Sequence, residues 1–390
     1  MSTTPTEFLK LAAETAEHFG FRSVDELKKN PACKGCQTSL THNAGAIDRR
    51  IDSLHGLLTA GINNYCDSKL NGFEGPVLFY NVEQVPRSGE AAIGLQIFNV
   101  EKSIAEALLI QATRALMNDL GHTNHYVRVN TVGDSDSATR YNRELTNFLK
   151  KRLDLMPPTA RELMKEHPYE VLSHLVEKEH ELALKSPNSL EYLSDPSRKH
   201  FREIIEYLDM SETPYEIDPK MLGHYDCYSE ALFSIELMDE EENRLTNAPV
   251  VARGGRYDTF VHRNTRRKIP AAGAVVILRE KKAPSRAPKV KLGTPSVYVV
   301  QLGFGPKIRS LMIIDELRRA GIPVLQDLAS DSLSAQLRDA EARGVRHTII
   351  VGQKEFVENN VILRDMNERN QEQIPVDALV RRLKRQAVVA

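Results

Sequence analysis

The sequence predicts an α/β protein: a mostly antiparallel sheet with flanking helices and a helical insertion, followed by a smaller α/β domain. Three observations carry this. GPVLFYNVEQV (75–85) reads as a strand and AAIGLQIFNVE (91–101) as its antiparallel partner across a turn holding Pro86 and Gly89. From about 135 to 212 the pattern turns helical and charged, and strands resume after it. Beyond REKKAPSRAPKVKLGTPS (279–296), a basic, proline-bearing stretch without apolar periodicity, short strands and helices alternate to the C-terminus, the rhythm of parallel strands joined by helices. The expected division is a core over 1–280, with its insertion at about 135–212, a linker at 281–295 and a second domain over 296–390.

Taken in order, residues 6–29 read as a helix broken near Gly20, and a polar loop spans about 31–46. AIDRRIDSLHGLLTAGINNYC then places Ile47, Ile51, Leu54, Leu57, Leu58 and Ile62 at helical spacing. After the strand pair comes a helix, SIAEALLIQATRALMNDLG, with Ser103 as its expected N-cap and Gly121 at its C-terminal end. HYVRVNTVG reads as a strand. Past the insertion, CYSEALFSIELM, APVVARGGRYDTFV and IPAAGAVVILRE return to strands around a glycine-rich corner. SVYVVQLG, KIRSLMIIDELRRAG, IPVLQDL and RHTIIVG set the alternation of the last 95 residues.

Composition bounds the function. With 41% hydrophobic and 27% charged residues and a formal net charge of −1, the chain has no global drive toward nucleic acid or a membrane surface. The N-terminus lacks a basic region followed by an apolar one, and no apolar run approaches the ~20 residues that span a bilayer. Four cysteines do not make a disulfide scaffold, so a reducing cytoplasm is the expected location. Cys33 and Cys36, in CKGC, have a spacing that supplies half of a zinc shell or a redox couple, but no second pair accompanies them. No metal site is predicted.

VARGGRYDTF (251–260) sets two glycines before an arginine, a tyrosine and an aspartate. Such a pair either lets the backbone pass close to a bound small molecule or makes a tight turn at a sheet corner. GGRYD followed by IPAAGAVVIL resembles the glycine-rich corner and the third class-defining motif of class II aminoacyl-tRNA synthetases, and within them the histidyl-tRNA synthetase family. NTVGDSDSATRYNREL resembles the start of that family's helical insertion. YEIDPKMLGHYDCYSEALFSIEL resembles the stretch through its histidine-binding signature, and IIDELRRAGIPVLQDL with TIIVGQKE resembles its anticodon-binding domain. The motifs are collinear over about 300 residues.

The resemblance implies a class II synthetase-like sheet with an anticodon-binding-like C-terminal domain, a homodimer, and ATP-dependent amino-acid activation with magnesium. That chemistry needs fixed positive charge around the α-phosphate. Several matching positions lack it. Asn81 stands at the motif 2 arginine, with Glu83 keeping the acidic nucleotide-binding partner and Arg87 the nearest cation. Gly223 and His224 replace the Arg-Gly pair of the histidine signature, while Asp226 and Tyr228 persist. In motif 3, Glu280 takes the arginine position with Arg279 one residue away, and Ile277 replaces a glycine that admits the nucleotide. An offset of one residue turns a strand side chain to the other face unless a bulge intervenes. Glu101 matches the acceptor of a bound amino acid's ammonium, and Ile97 stands where an amide is expected. Gly254, Gly255 and Tyr257 complete the implied amino-acid site, with Arg256 beside them.

Losing one preorganised donor costs a factor of ~10²–10³ in rate. Three losses point to a paralogue with degraded activation that binds tRNA, an amino acid or a protein partner. The alternative is an active histidine–tRNA ligase in which Arg87, Arg256 and Arg279 carry the load with ATP and magnesium; a degraded enzyme needs no cofactor. A purely structural dimerisation module is a third reading. Regulatory synthetase-like subunits usually lack the anticodon-like domain, which counts against that role. For tRNA, HRNTRRK (262–268), the linker lysines and arginines and the terminal RRLKR offer basic clusters suited either to a phosphate backbone or to a solvated surface.

Overall fold

The computed structural model describes residues 4–29, 60–66, 70, 75–84, 90–223, 227–281, 293–328 and 330–388. Helix α1 (Pro5–His18) opens on a capping box, in which Thr4 accepts from the Glu7 amide and the Glu7 carboxylate accepts in return. The helix expected over 6–29 is divided by a short strand, β1 (Arg22–Ser23), before α2 (Val24–Lys29). Residues 60–66 form the described part of a third helix, α3. The strand pair follows as β2 (Val77–Gln84) and β3 (Glu90–Phe98), in register from Val77↔Phe98 to Gln84↔Ala91. Helix α4 (Ile104–Asp119) and β4 (His125–Gly133) come next. Ser103 occupies the N-cap of α4, but its hydroxyl makes no cap bond and donates instead to Glu203, so a tertiary partner displaces the expected local one.

The insertion consists of α5 (Ser135–Lys150), α6 (Pro158–Leu163), α7 (Pro168–Glu177), α8 (Glu181–Leu184) and α9 (Asp195–Met210). It has its own apolar cluster around Tyr141, Leu145, Leu172 and Leu175. Strands β5 (Tyr215–Ile217), β6 (Ser229–Leu237) and β7 (Val250–Arg256), helix α10 (Asp258–Thr265) and strand β8 (Ala271–Lys281) complete an eight-stranded sheet ordered β1-β2-β3-β8-β7-β6-β4-β5. The β1–β2 and β4–β5 pairs are parallel and the rest antiparallel.

Strand alternation divides this sheet into two apolar faces. Ile93, Leu95, Ala272, Ala274 and Val276 pack with α1, α4 and α9 in the main core. On the opposite face Val77, Phe79, Phe98 and Ala271 pack with Ile62, Tyr65 and Tyr257.

The second sheet, ordered β10-β9-β11-β12-β13, is built from β9 (Val297–Gln301), α11 (Phe304–Arg319), β10 (Val324–Gln326), α12 (Leu333–Ala342), β11 (His347–Val351), α13 (Gln353–Val357), β12 (Asn360–Asp365), β13 (Gln371–Pro375) and α14 (Val376–Val388). Only β10, β9 and β11 are parallel. The expected parallel pattern ends there: β12 returns antiparallel to β11 after the five-residue α13, too short for a crossover, and a short turn sets β13 antiparallel to β12. The two parts share one apolar cluster, in which α11 packs against α1 and α4. Arg318 of α11 pairs with Asp119, and Lys102 pairs with Asp331.

Candidate functional site

Gly255 lies in a lateral row that crosses the sheet, with Gly254 in the row beside it. Phe79, Gln96, Gly273 and Gly255 are paired successively over β2, β3, β8 and β7. Each glycine is demanded by its neighbour. A Cβ on Gly273 would lie 2.5 Å from Gln96 Oε1, one on Gly254 2.6 Å from Phe233 Cζ, and one on Gly255 2.6 Å from the Ala231 carbonyl. Three of these approaches involve the chain's own strands and side chains, which is the sheet-corner role of the pair.

Gln96 is fully buried, accepts a hydrogen bond from the Tyr257 hydroxyl, and leaves its Nε2 without a hydrogen-bond partner. Gly61 of α3 lies directly over it, since a Cβ there would sit 2.6 Å from Nε2. Beside it Tyr65 of α3 stacks on Phe98 at 4.0 Å between ring centres, and Phe98 meets Tyr257 edge-on at 6.2 Å. Burial pushes the Tyr257 hydroxyl well above its ordinary range and the Tyr65 hydroxyl up to about 12, so both stay neutral donors. Asn81, in the next row with Gly94 and Val275, is 2% exposed. The motif 2 position is thus a buried neutral amide, and the aromatic cluster covers Gln96 and Phe98 farther along the same strand pair.

Arg256 points the other way, toward α4. Its Nε and Nη2 each donate to a Glu106 oxygen at 2.8 Å, Nη1 donates to the Val100 carbonyl at 2.9 Å and Nη2 to the Lys102 carbonyl at 3.2 Å. Asp258 stands 3.5 Å from Nη1, so every donor faces an acceptor. His200 of α9 adds a 2.7 Å contact to Glu106. Burial opposes ionisation of Glu106, yet Arg256 and His200 together hold its carboxyl down at about 2. Burial also pulls His200 toward neutrality, but Glu106 overcomes it and the imidazole pKa is raised.

The other expected site residues scatter. Glu101 is exposed, on the segment whose carbonyls Arg256 grips. Arg279 is exposed beyond Leu278, where β8 bulges against Glu90 and Ala91, so strict alternation ends before it. Ile277 and Tyr228 pack on Ala92 and Val275, filling the strand end that a glycine would open. Arg87, Asp226, Cys33 and Cys36 lie outside the described residues, as does the side chain of Glu83. Among the described residues no cluster of three metal-ligating side chains occurs.

A cleft of about 570 Å³ opens farther along the same face, between α7 and strands β4, β6 and β7. Tyr228 and Gly254 line it, together with four cations that the motif reading missed: Arg128, Lys220, Arg244 and Arg253. Arg253 is paired with Ser234 and Val275, in the same lateral row as Asn81 but three strands away, roughly 14 Å at the usual strand spacing. Arg128 pairs with Asp218 and Glu236, and Arg244 with Glu236 at 2.8 Å. Burial lowers the pKa of Lys220, whose Nζ donates to the Ser186 carbonyl at 2.8 Å and hydroxyl at 2.6 Å. The sequence signal for Arg253 was its place one residue before the glycine pair. The other three come together only through strand pairing and the insertion.

Residues 297–386 match the family described as Anticodon binding domain. Among similar proteins, the histidine–tRNA ligase of Fervidobacterium nodosum is 28% identical over 302 residues, 76% of this chain and 70% of that protein. That of Bacillus velezensis is 26% identical over 316 residues, 80% of this chain and 74% of that protein. A solved structure of apo S. aureus histidyl-tRNA synthetase covers 83% of this chain and 80% of its own at 18% identity, with a TM-score of 0.45. Over about three quarters of its length the chain is thus similar to histidine–tRNA ligases, and its C-terminal part matches the anticodon-binding domain.

Proposed function

We propose that this protein is a synthetase-fold binding protein for tRNA in which amino-acid activation has lapsed. The observation that carries it is the environment of the motif 2 position. Asn81 and Gln96 are neutral and buried, Gln96 beside the helix that carries Tyr65, while Arg256 spends its donors on Glu106 and two carbonyls of the other face. These residues do not suit a triphosphate with magnesium, and no reaction step through ATP belongs to this reading. The anticodon-binding match and the exposed Arg381, Arg382, Lys384 and Arg385 of α14 support tRNA as the partner. A cytoplasmic homodimer is part of the proposal. An active ligase with displaced arginines is the second reading, favoured by the presence of Arg128, Arg244 and Arg253 around one cleft.

Histidine-dependent ATP–pyrophosphate exchange separates the two. No exchange above background is expected, and robust exchange overturns the lapsed-activation part. Filter binding with bulk tRNA tests the partner: affinity is expected to fall steeply with added salt, and Arg381→Glu with Lys384→Glu to weaken it and flatten the salt slope. Unchanged affinity in that variant excludes α14 as the contact.

A further inference from the structure

A second cavity, of about 530 Å³, lies where the eight-stranded sheet meets the C-terminal domain. Its walls from the core are Leu78, Ile97, Ala105 and Leu108, and Leu325 and Leu328 close it from the C-terminal domain. The volume suits a small organic ligand, and junctions between domains are favoured places for such sites. Nothing in the proposed tRNA role or in the cationic cleft uses it.

The polar rim is not symmetric in charge. Arg22 and Arg343 stand against Asp327 and Asp339. Both carboxylates are already engaged by donors of their own domain. Asp339 accepts from the Tyr298 hydroxyl at 2.8 Å and from Arg343 Nε at 2.9 Å, and Asp327 accepts from the Ser330 amide at 3.2 Å. Gln326 is spent as well, with Nε2 donating to the Phe19 carbonyl and Oε1 accepting from the Leu328 amide. Among the described residues, Arg22 has no carboxylate within ion-pair distance, and it is exposed at the rim. The rim carries two guanidinium and two carboxylate groups, and Arg22, unlike Arg343, pairs with neither carboxylate, so it is the rim group that can take the anionic head of a ligand with an apolar body.

We propose that this interdomain cavity binds an amphipathic monoanion, an apolar chain or ring bearing a single carboxylate, with Arg22 taking the head and the leucine-lined walls of both domains taking the body. Because both domains contribute walls, the bound molecule stabilises their docking by mass action.

The test uses the full-length chain and dodecanoate below its micellar concentration, followed by titration calorimetry and thermal unfolding. One dodecanoate per chain is expected to bind saturably and to raise the unfolding midpoint with concentration. Dodecanol is expected to bind on the order of tenfold more weakly, because it lacks the charge-assisted hydrogen bond. Arg22→Gln, at an exposed position, is expected to bring the acid down to the alcohol's affinity. Leu325→Trp, at a half-buried wall position, is expected to abolish binding of both. Absence of saturable binding overturns the site. Acid affinity that is the same in Arg22→Gln as in the unaltered chain overturns the head assignment. Binding of several molecules per chain, insensitive to both substitutions, shows surface adsorption and overturns the proposal altogether.

Discussion

Arg256 and Glu106 meet in a two-pronged buried ion pair, Nε to Oε1 and Nη2 to Oε2 both at 2.8 Å, that ties the end of β7 to the first turn of α4. Both side chains are almost wholly buried, with exposures of 2% and 1%. Truncating Arg256 leaves the buried Glu106 carboxylate with His200 as its remaining charged partner. Arg256→Met is therefore expected to destabilise the protein by about 3–5 kcal/mol. Adding Glu106→Leu to it is expected to recover much of that loss, since no charge is then stranded. Urea unfolding of the two variants checks this, and a double variant no more stable than the single one would refute the ion-pair account.

The same cluster makes stability depend on pH in two directions. Glu106 is depressed from 4.5 to about 2, so its contribution is complete above 4.5 and is lost as pH falls toward 2. His200 is raised above 6.5 by Glu106, so its contribution is complete below 6.5 and is lost as pH rises through the raised value. Glu230, raised by burial, works in the same direction as His200 from 4.5 upward. His18, His122, His125 and His347, lowered by burial, work in the opposite direction up to 6.5, so the His200 contribution is read by difference: the urea midpoint of the unaltered protein relative to that of His200→Gln should decline between pH 6.5 and 8.5. Equal slopes would remove His200 from the explanation.

Gly254 has no space for a methyl group, with Phe233 Cζ at 2.6 Å and the Gly273 carbonyl at 2.7 Å from the would-be Cβ. One of these obstacles is backbone and does not move cheaply. Gly254→Ala is expected to lower stability by about 1–3 kcal/mol through overpacking. A thermal midpoint unchanged from that of the parent protein is the contrary result.

Phe98 is fully buried and touches Tyr65, Phe79 and Tyr257. Truncation to alanine is expected to cost about 3–5 kcal/mol, from lost transfer energy and an unfilled cavity. A loss below 1 kcal/mol in denaturant unfolding would mean that the aromatic cluster beside Gln96 is loosely packed.

Much of the architecture was legible. The short apolar runs VLFY and AAIGLQIF on either side of a Pro- and Gly-bearing turn marked β2 and β3, and the change of rhythm after 296 marked the second sheet, because such local patterns are written in neighbouring residues. The missing motif 2 cation was equally plain, since Asn81 carries no charge in any fold. The direction of Arg256 was not: GGRYD reads the same whether the guanidinium enters a cleft or pairs with Glu106, 150 residues earlier. Ser103 looked like a cap until α9 brought Glu203 within reach.

Sequence alone determined most of the order of strands and helices, though not β1, β13 or the helix α10 that begins within the stretch read as strand, and it determined which motif positions carry no positive charge. The tertiary structure decided which charges are spent, namely Arg256 on Glu106, and where others gather, namely Arg128, Arg244 and Arg253 around one cleft. The reason is physical: local periodicity follows from covalent geometry, whereas the partner of a side chain follows from strand pairing and burial among residues far apart in the chain.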